Sequence, residues 1–380
     1  MVYNTSRSHD NTNKETHMAQ EIYHTLQKQL DQYSIGFPVT ESGIEIRILK
    51  KLFTEEEAEM ALHLSMALET PESVAERTGR DPQAVAALLD QMADKGLLFR
   101  LRRGDSVKYG ALPFVLGIYE YQLNSMDREF ARMFEDYLQE AFHKNIAALR
   151  PSILRTIPIN RSVVVTHPVA THEDSREIIK RQKVIAVANC ICRVQQDLIG
   201  HHCDKPLEVC FSFGSAARYY IELGMGREIT TEEALAILDR CEEAGLVAQP
   251  ANVKNPGGMC NCCGDCCPLL RMIKKYPRPV EMIQSNYHAA VDPDECTACE
   301  TCLERCPMGA ISITEDEVAH VNLDRCIGCG LCVTTCPTNA LRLELKSEDQ
   351  RYTPPEKGRE LIEEMARNRG TSLIPFTMAE

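Results

Sequence analysis

The sequence predicts a multidomain α+β chain in which a helical N-terminal half precedes two cysteine-rich regions of different character. The chain has 380 residues, a length typical of two or three domains. Its 18 cysteines begin at position 190, with ten from Cys190 to Cys267 and eight from Cys296 to Cys336. The N-terminal half instead shows capped apolar patterns of helical period. The cysteine distribution is therefore the best guide to the domain boundaries.

Charge and composition exclude several classes of protein. The formal net charge of −13 disfavours general binding to polyanions. No run of about 18 apolar residues occurs, so no membrane span is expected. The polar start of the chain lacks the apolar core of a signal peptide. We expect a cytoplasmic protein, and in that compartment clustered cysteines indicate metal or redox chemistry rather than disulfides.

Two segments near the C-terminus share one cysteine pattern. CTACETCLERCPMGAISI and CIGCGLCVTTCPTNALRL both read C-x2-C-x2-C-x3-C-P. Three closely spaced thiolates on a tight loop can face three irons of one cube, and the proline after the fourth cysteine ends that turn. The alternating residues Ile311/Ile313 and Leu341/Leu343 predict short strands that close an apolar shell around the cysteines.

On these runs, residues 291–345 resemble a bacterial-type two-cluster ferredoxin domain, with all eight ligand positions intact. The resemblance implies two [4Fe–4S] clusters, with the fourth cysteine of each run serving the other cluster. Zinc is disfavoured, because zinc sites usually use two pairs of ligands with a longer gap between them. One cluster would be held by Cys296, Cys299, Cys302 and Cys336, and the second by Cys326, Cys329, Cys332 and Cys306.

A second set of cysteines lies in the middle of the chain. The run VIAVAN predicts a buried strand with Cys190 and Cys192 on one face at its end, and NPGG at 255–258 introduces a loop with five cysteines. Adjacent side chains diverge in extended chain, so the pairs 262/263 and 266/267 can each be divided between two centres. We expect one or two further iron–sulfur clusters here, with a zinc knuckle or merely buried thiols as the alternative. The candidate metal ligands are Cys190, Cys192, Cys203, Cys210, Cys260, Cys262, Cys263, Cys266 and Cys267.

Four neighbouring residues have simpler interpretations. Cys241 recurs at helical spacing after a Thr230 or Thr231 cap, which predicts a core residue rather than a ligand. His201 and His202 are expected to be solvated loop residues, although either could ligate a cluster. Arg193 could raise the potential of a cluster by its charge, but a surface salt bridge is the preferred interpretation.

The central segment also carries a resemblance. It contains a C-x-C-R turn, a C-D-x-P-x3-C loop, FSFGSAARYY and a C-N-C-C-G-x-C-C run. These features resemble the cysteine-rich region of uncharacterised proteins of anaerobes that are known only as 4Fe–4S binding. The resemblance covers roughly residues 180–345 and implies metal binding without indicating a reaction.

The pattern of residues 41–112 is three helices and a hairpin, which resembles a winged helix-turn-helix module. Thr54 caps the first helix, Gly79 ends the second and Asp81 caps the third, while the hairpin turns at Gly104–Asp105. The third helix, which would enter the major groove, is acidic and lacks an arginine to read guanine. Nucleic acid is therefore disfavoured as a partner, and a docking or structural role is preferred.

The remaining boundaries follow from composition. Residues 1–40 form a polar, partly disordered N-terminus, and 113–155 a helical connector of one or two long amphipathic helices. Residues 156–290 form the cysteine-rich domain. Residues 346–380 carry a charged helix that ends near Gly370, followed by a tail, and this segment is expected to be a solvated appendage or a docking element.

The sequence predicts an iron–sulfur electron-transfer protein that carries one electron per cluster between redox partners in anaerobic metabolism. It lacks a G-x-G-x-x-G after a strand, a phosphate-binding P-loop and the C-x3-C-x2-C triplet of radical enzymes. We identify no catalytic residue, and expect a redox partner protein. Two alternatives stay open: a redox-sensing winged-helix regulator, and an oxidoreductase subunit with a substrate-binding cluster among the central cysteines. An oligomer or an oxidoreductase complex is also left open.

Overall fold

The computed structural model describes residues 21–158 and 170–375, and the chain divides into two compact units. Residues up to Phe142 form the first unit together with those from Arg369 onward, and His143–Asn368 form the second. The disorder predicted for the start of the chain falls partly on residues 1–20, which lie outside the described residues.

The first unit contains the predicted helices and hairpin. Thr54 accepts a hydrogen bond from the Glu57 N–H, and Asp81 caps its helix in the same way. An additional helix covers 21–32 and buries Leu26 and Leu30, although this segment was expected to belong to a polar terminus. The elements are α1 (21–32), α2 (Ile44–Leu52), α3 (Glu55–Leu62), α4 (Pro71–Thr78), α5 (Pro82–Asp94), β1 (Leu98–Arg103) and β2 (Ser106–Ala111), the two strands being antiparallel.

The expected helical connector is helical in its second part only. Residues 114–118 form only a short turn, because the backbone leaves helical geometry from Val115 to Gly117. From Arg128 onward the chain forms the expected long helix, in which α6 (Arg128–Tyr137) continues through a π-helical turn (Leu138–Phe142) into α7 (His143–Ala148). The boundary between the units follows Phe142, so this segment is not a separate piece of structure.

The second unit is built on a five-stranded antiparallel sheet with the order β5–β3–β4–β7–β6. Helices α8 and α11 bury apolar residues against this sheet, and the resulting core extends to Cys263 and Cys266. The strands are β3 (Ile185–Asn189), β4 (Glu208–Phe213), β5 (Gly226–Ile229), β6 (Val247–Pro250) and β7 (Gly258–Cys262). The helices are α8 (Ser175–Lys180), α9 (Ile191–Leu198), α10 (Gly214–Glu222), α11 (Thr231–Glu243) and α12 (Pro268–Lys274).

The C-terminal part of this unit consists of two small antiparallel pairs. Strand β8 (Tyr287–Val291) pairs with β11 (Leu341–Leu345), and β9 (Ile311–Ile313) pairs with β10 (Ala319–Val321), which confirms the two short strands predicted after the cysteine runs. Helix α13 (Thr301–Arg305) lies between β8 and β9 in the chain. The last helix, α14 (Gly358–Arg369), buries Leu361 and Met365, so one of its faces is packed.

Candidate metal centres

Two cavities bring the eight cysteines of the C-terminal repeat together in two sets of four. Each cavity is lined by three cysteines of one run and the fourth cysteine of the other, which is the crossed division that the resemblance implies. Their volumes are about 340 Å³ and about 350 Å³. We call them the outer site, with Cys296, Cys299, Cys302 and Cys336, and the inner site, with Cys306, Cys326, Cys329 and Cys332.

Backbone N–H groups point at sulfur atoms in both sites. The N–H of Ala319 lies 3.3 Å from Sγ of Cys296 in the outer site. In the inner site the N–H of Ala310 lies 3.2 Å from Sγ of Cys306. Such donors stabilise negative charge on thiolates and tune the potential of an iron–sulfur cluster. The donors, the thiols and the space between them therefore fit a cluster in each site.

The two sites differ in exposure. Cys299 of the outer site is exposed, and its interaction with Thr301 lowers the pKa of its thiol. In the inner site Cys326, Cys329 and Cys332 are buried, and burial raises the pKa of each thiol. A metal that binds the inner site must therefore displace protons that these thiols hold at neutral pH. The outer site is the one that an external molecule can approach.

The central cysteines are positioned by the five-stranded sheet. The register of β4 against β7 pairs Phe211 with Met259, which brings Cys210 beside Cys260. Cys260 and Cys262 lie on one face of β7 because side chains alternate along a strand. The prediction of a loop for these two cysteines is wrong, because strand β7 begins at Gly258, the last residue of NPGG.

The environment predicted for Cys192 is also wrong. Cys190 ends the extended segment as expected, but helix α9 begins at Ile191, so Cys192 lies in its first turn rather than on a strand face. The two thiols still interact. This interaction lowers the pKa of Cys190 and, together with burial, raises that of Cys192 well above its usual value.

The contacts between thiols divide the nine central cysteines into two groups. Cys262 interacts with Cys260 and Cys267, whereas Cys263 interacts with Cys266. The adjacent residues thus separate, as the divergence of neighbouring side chains predicts. The six-cysteine group contains the linked thiols of Cys210, Cys260, Cys262 and Cys267 together with the pair Cys190 and Cys192, on which Cys260 and Cys267 act electrostatically. The three-cysteine group contains Cys203, Cys263 and Cys266.

A buried arginine lies among these thiols. Arg193 is only 3% exposed, so the expected surface salt bridge is wrong. Its Nη1 donates to the Pro206 carbonyl at 2.9 Å and its Nη2 to the Asn261 carbonyl at 3.1 Å, while Nε has no partner among the described residues. Burial opposes its charge, but the surrounding thiolates, Cys190 first, raise its pKa. A buried cation with a spare donor fits a site that holds anionic sulfur.

Sequence reasoning missed Gln249. This residue lies on β6, is fully buried, and its Nε2 is 4.0 Å from Sγ of Cys267. Its Oε1 has no partner among the described residues. The available signal was a polar residue in the otherwise apolar strand VAQP, since a buried amide requires a hydrogen-bond partner.

The other candidates are placed as predicted. Cys241 is buried in the core against the sheet. His201 and His202 are both exposed, and His202 pairs with Asp197 and Asp204. No histidine, aspartate or glutamate among the described residues joins the three-cysteine group.

The central cysteines and the inner site meet through one loop. A Cβ atom built on Gly264, which follows Cys263, would lie 3.0 Å from the carbonyl oxygen of Pro307. Pro307 directly follows Cys306 of the inner site. Nearby, Arg305 donates a hydrogen bond to the carbonyl of Glu242 at the end of α11. The loop from Cys263 to Cys266 therefore packs against the inner site.

Comparison with known proteins agrees with part of this arrangement. Residues 289–343 match a family described as 4Fe-4S dicluster domain. This match supports iron–sulfur binding and a role in electron transfer in general. Searches of curated proteins and of solved structures found no match to the chain. The winged-helix and anaerobe-protein resemblances thus receive no support from these comparisons. Within the part of the chain that the structure describes, every helix is too short or too polar to cross a bilayer.

Proposed function

We propose that this chain is an iron–sulfur electron-transfer protein in which the outer and inner sites each hold one [4Fe–4S] cluster. The observation that carries this proposal is the pair of cavities, each lined by four cysteines drawn from both runs. The six-cysteine group would hold a further cluster, because it gathers more thiols than one cubane requires.

Each cluster, when bound, supplies a one-electron redox centre. The residues of the chain bind each cluster, stabilise its charge and control its exposure to water. The thiols bind iron as thiolates, the N–H groups of Ala319 and Ala310 stabilise charge on sulfur, and burial keeps water from the inner site. The exposed Cys299 makes the outer site the point of exchange with a partner. The contact of Gly264 with Pro307 supports a route from the inner site to the central cysteines.

The partner that this surface favours is a redox protein with a basic face. Asp294, Glu295, Glu300 and Glu304 are exposed around the outer site, and the whole chain carries a net charge of −13. Complementary charge accelerates the encounter of redox proteins and orients them. The many free thiols favour a reducing compartment such as the cytoplasm, and anaerobic metabolism.

A DNA-binding regulator is disfavoured by the ion pairs of the first unit. Arg100 is almost fully buried and pairs with Asp90 and Asp94, and Arg102 also pairs with Asp90. The acidic helix α5 thereby neutralises two arginines of the hairpin, Arg100 and Arg102, which would otherwise be available to contact DNA phosphates. We infer that this helical module serves as a structural or docking element.

A reductive titration tests the proposed function. The chain would be purified without oxygen and titrated with dithionite while its absorbance and electron paramagnetic resonance (EPR) spectrum are recorded. We expect reversible uptake of about three electrons per chain, one for each cluster. Iron that is present but cannot be reversibly reduced would show that the clusters are structural and would contradict the proposal.

A further inference from the structure

The three-cysteine group differs from the other cysteines in how closely its sulfur atoms lie. The three Sγ atoms of Cys203, Cys263 and Cys266 lie within 4.8 Å of one another, and those of Cys203 and Cys263 are 4.0 Å apart. In residues 21–158 and 170–375, no other trio of cysteine, histidine, aspartate or glutamate side chains comes this close. The cysteines of the outer and inner sites instead surround cavities.

This spacing distinguishes a single ion from a cluster. A tetrahedral ion with metal–sulfur bonds of about 2.3 Å holds its thiolates about 3.8 Å apart. Thiolates on a cubane bind separate irons at separate corners, so they stand further apart around a central space. The sulfur atoms of the three-cysteine group have the spacing expected around a single metal ion. The cysteines of the outer and inner sites surround cavities, as expected for cubane clusters.

We propose that Cys203, Cys263 and Cys266 form a mononuclear site for a thiophilic divalent cation, Zn²⁺, distinct from the iron–sulfur clusters. Three thiolates leave the fourth tetrahedral position without a protein ligand, which is the arrangement of catalytic rather than structural zinc sites. A small exogenous ligand, such as water or a thiol, takes that position. This site goes beyond the proposed electron-transfer function and does not depend on it.

The surroundings of the group fit this assignment. Cys263 and Cys266 are buried, whereas Cys203 lies on the loop between α9 and β4 and is only partly buried, so a ligand can approach from that loop. Three thiolates and a divalent cation carry a net charge of −1. The buried Arg193, which donates a hydrogen bond to the carbonyl of Asn261 two residues before Cys263, offsets that charge.

Metal analysis tests the site. Zinc and iron per chain would be measured for the wild type, for the double variant Cys203→Ser/Cys266→Ser, and for Cys241→Ser as a control in the same core. We expect one zinc per chain in the wild type and the control, and none in the double variant, with iron unchanged in all three. Loss of about four irons from the double variant would overturn the proposal in favour of a cluster. Absence of zinc from the wild type would overturn it as well.

The open position is tested on the wild-type chain, so the result does not depend on a variant that folds. The protein would be produced with Co²⁺ in place of zinc and kept oxidised, a state in which [4Fe–4S]²⁺ clusters are diamagnetic. We expect an EPR signal of high-spin tetrahedral Co²⁺ that changes when cyanide is added. A cobalt signal that cyanide leaves unchanged would show a fourth protein ligand and would overturn the open position. No cobalt signal at all would overturn the site itself.

Discussion

Arg193 shows how one residue can set the electrostatics of the central cysteines. A buried guanidinium without an acidic partner is costly, yet here only two carbonyl groups accept its hydrogen bonds. The charges of the surrounding thiolates, that of Cys190 first, raise its pKa in spite of burial. The arginine therefore places a positive charge among the sulfur atoms that would bind metal.

Replacement of Arg193 by glutamine should lower the reduction potential of the central cluster, because a nearby positive charge favours the reduced form. The expected shift is on the order of 50–100 mV, from unit charges about 7–14 Å apart at an effective dielectric constant of about 20. Potentiometric titration monitored by EPR measures it, with iron content as the check on folding. Arg193→Lys retains the charge and should shift the potential much less. Equal shifts in both variants would mean that the packing of the Arg193 side chain, and not its charge, sets the potential of the central cluster.

The loop between β7 and α12 connects the two sets of cysteines. Gly264 packs so closely on Pro307 that a methyl group there must displace its neighbours. The same loop contains Cys263 and Cys266, and Pro307 follows a cysteine of the inner site. The position of this loop therefore sets the distance between the inner site and the central cysteines.

Gly264→Ala should slow electron exchange between the inner site and the central cluster while iron content stays at the wild-type value. Rapid reduction followed by freeze-quench EPR measures how fast the clusters equilibrate. Gly257→Ala is a matched control, because a Cβ atom at Gly257 meets nothing within 4 Å. Equal rates in the two variants would remove this contact from the electron route.

Elements that depend on local residues could be predicted from the sequence, and those that depend on distant pairing could not. The cap at Thr54, the strand after Val184 and the spacing of the C-terminal cysteines are all local signals. The contact of Cys203 with Cys263 joins residues 60 positions apart, and only the folded sheet brings them together. The burial of Arg193 was missed for the same reason, since the carbonyl of Asn261 that it contacts lies on β7.

For the whole molecule, the balance of charge determines which partners it can meet. The net charge of −13 and the exposed acidic residues near Cys299 should attract a basic acceptor. We expect the rate of electron transfer to a basic c-type cytochrome to fall at least tenfold between about 0.01 M and 0.5 M salt, since screening shortens the range of the attraction. Stopped-flow reduction of the cytochrome measures this. A rate independent of salt would place the exchange elsewhere on the surface.

Iron and acid-labile sulfide per chain, measured after anaerobic purification, test the account most directly. The wild type would be compared with the variant Cys260→Ser/Cys262→Ser/Cys267→Ser, which leaves the outer site, the inner site and the three-cysteine group intact. The account predicts about 12 irons in the wild type and about 8 in the variant, since each cubane holds four. About 8 irons in both proteins would mean that the six-cysteine group holds no cluster. A wild-type count well below 8 would contradict the two clusters on which the proposed function depends.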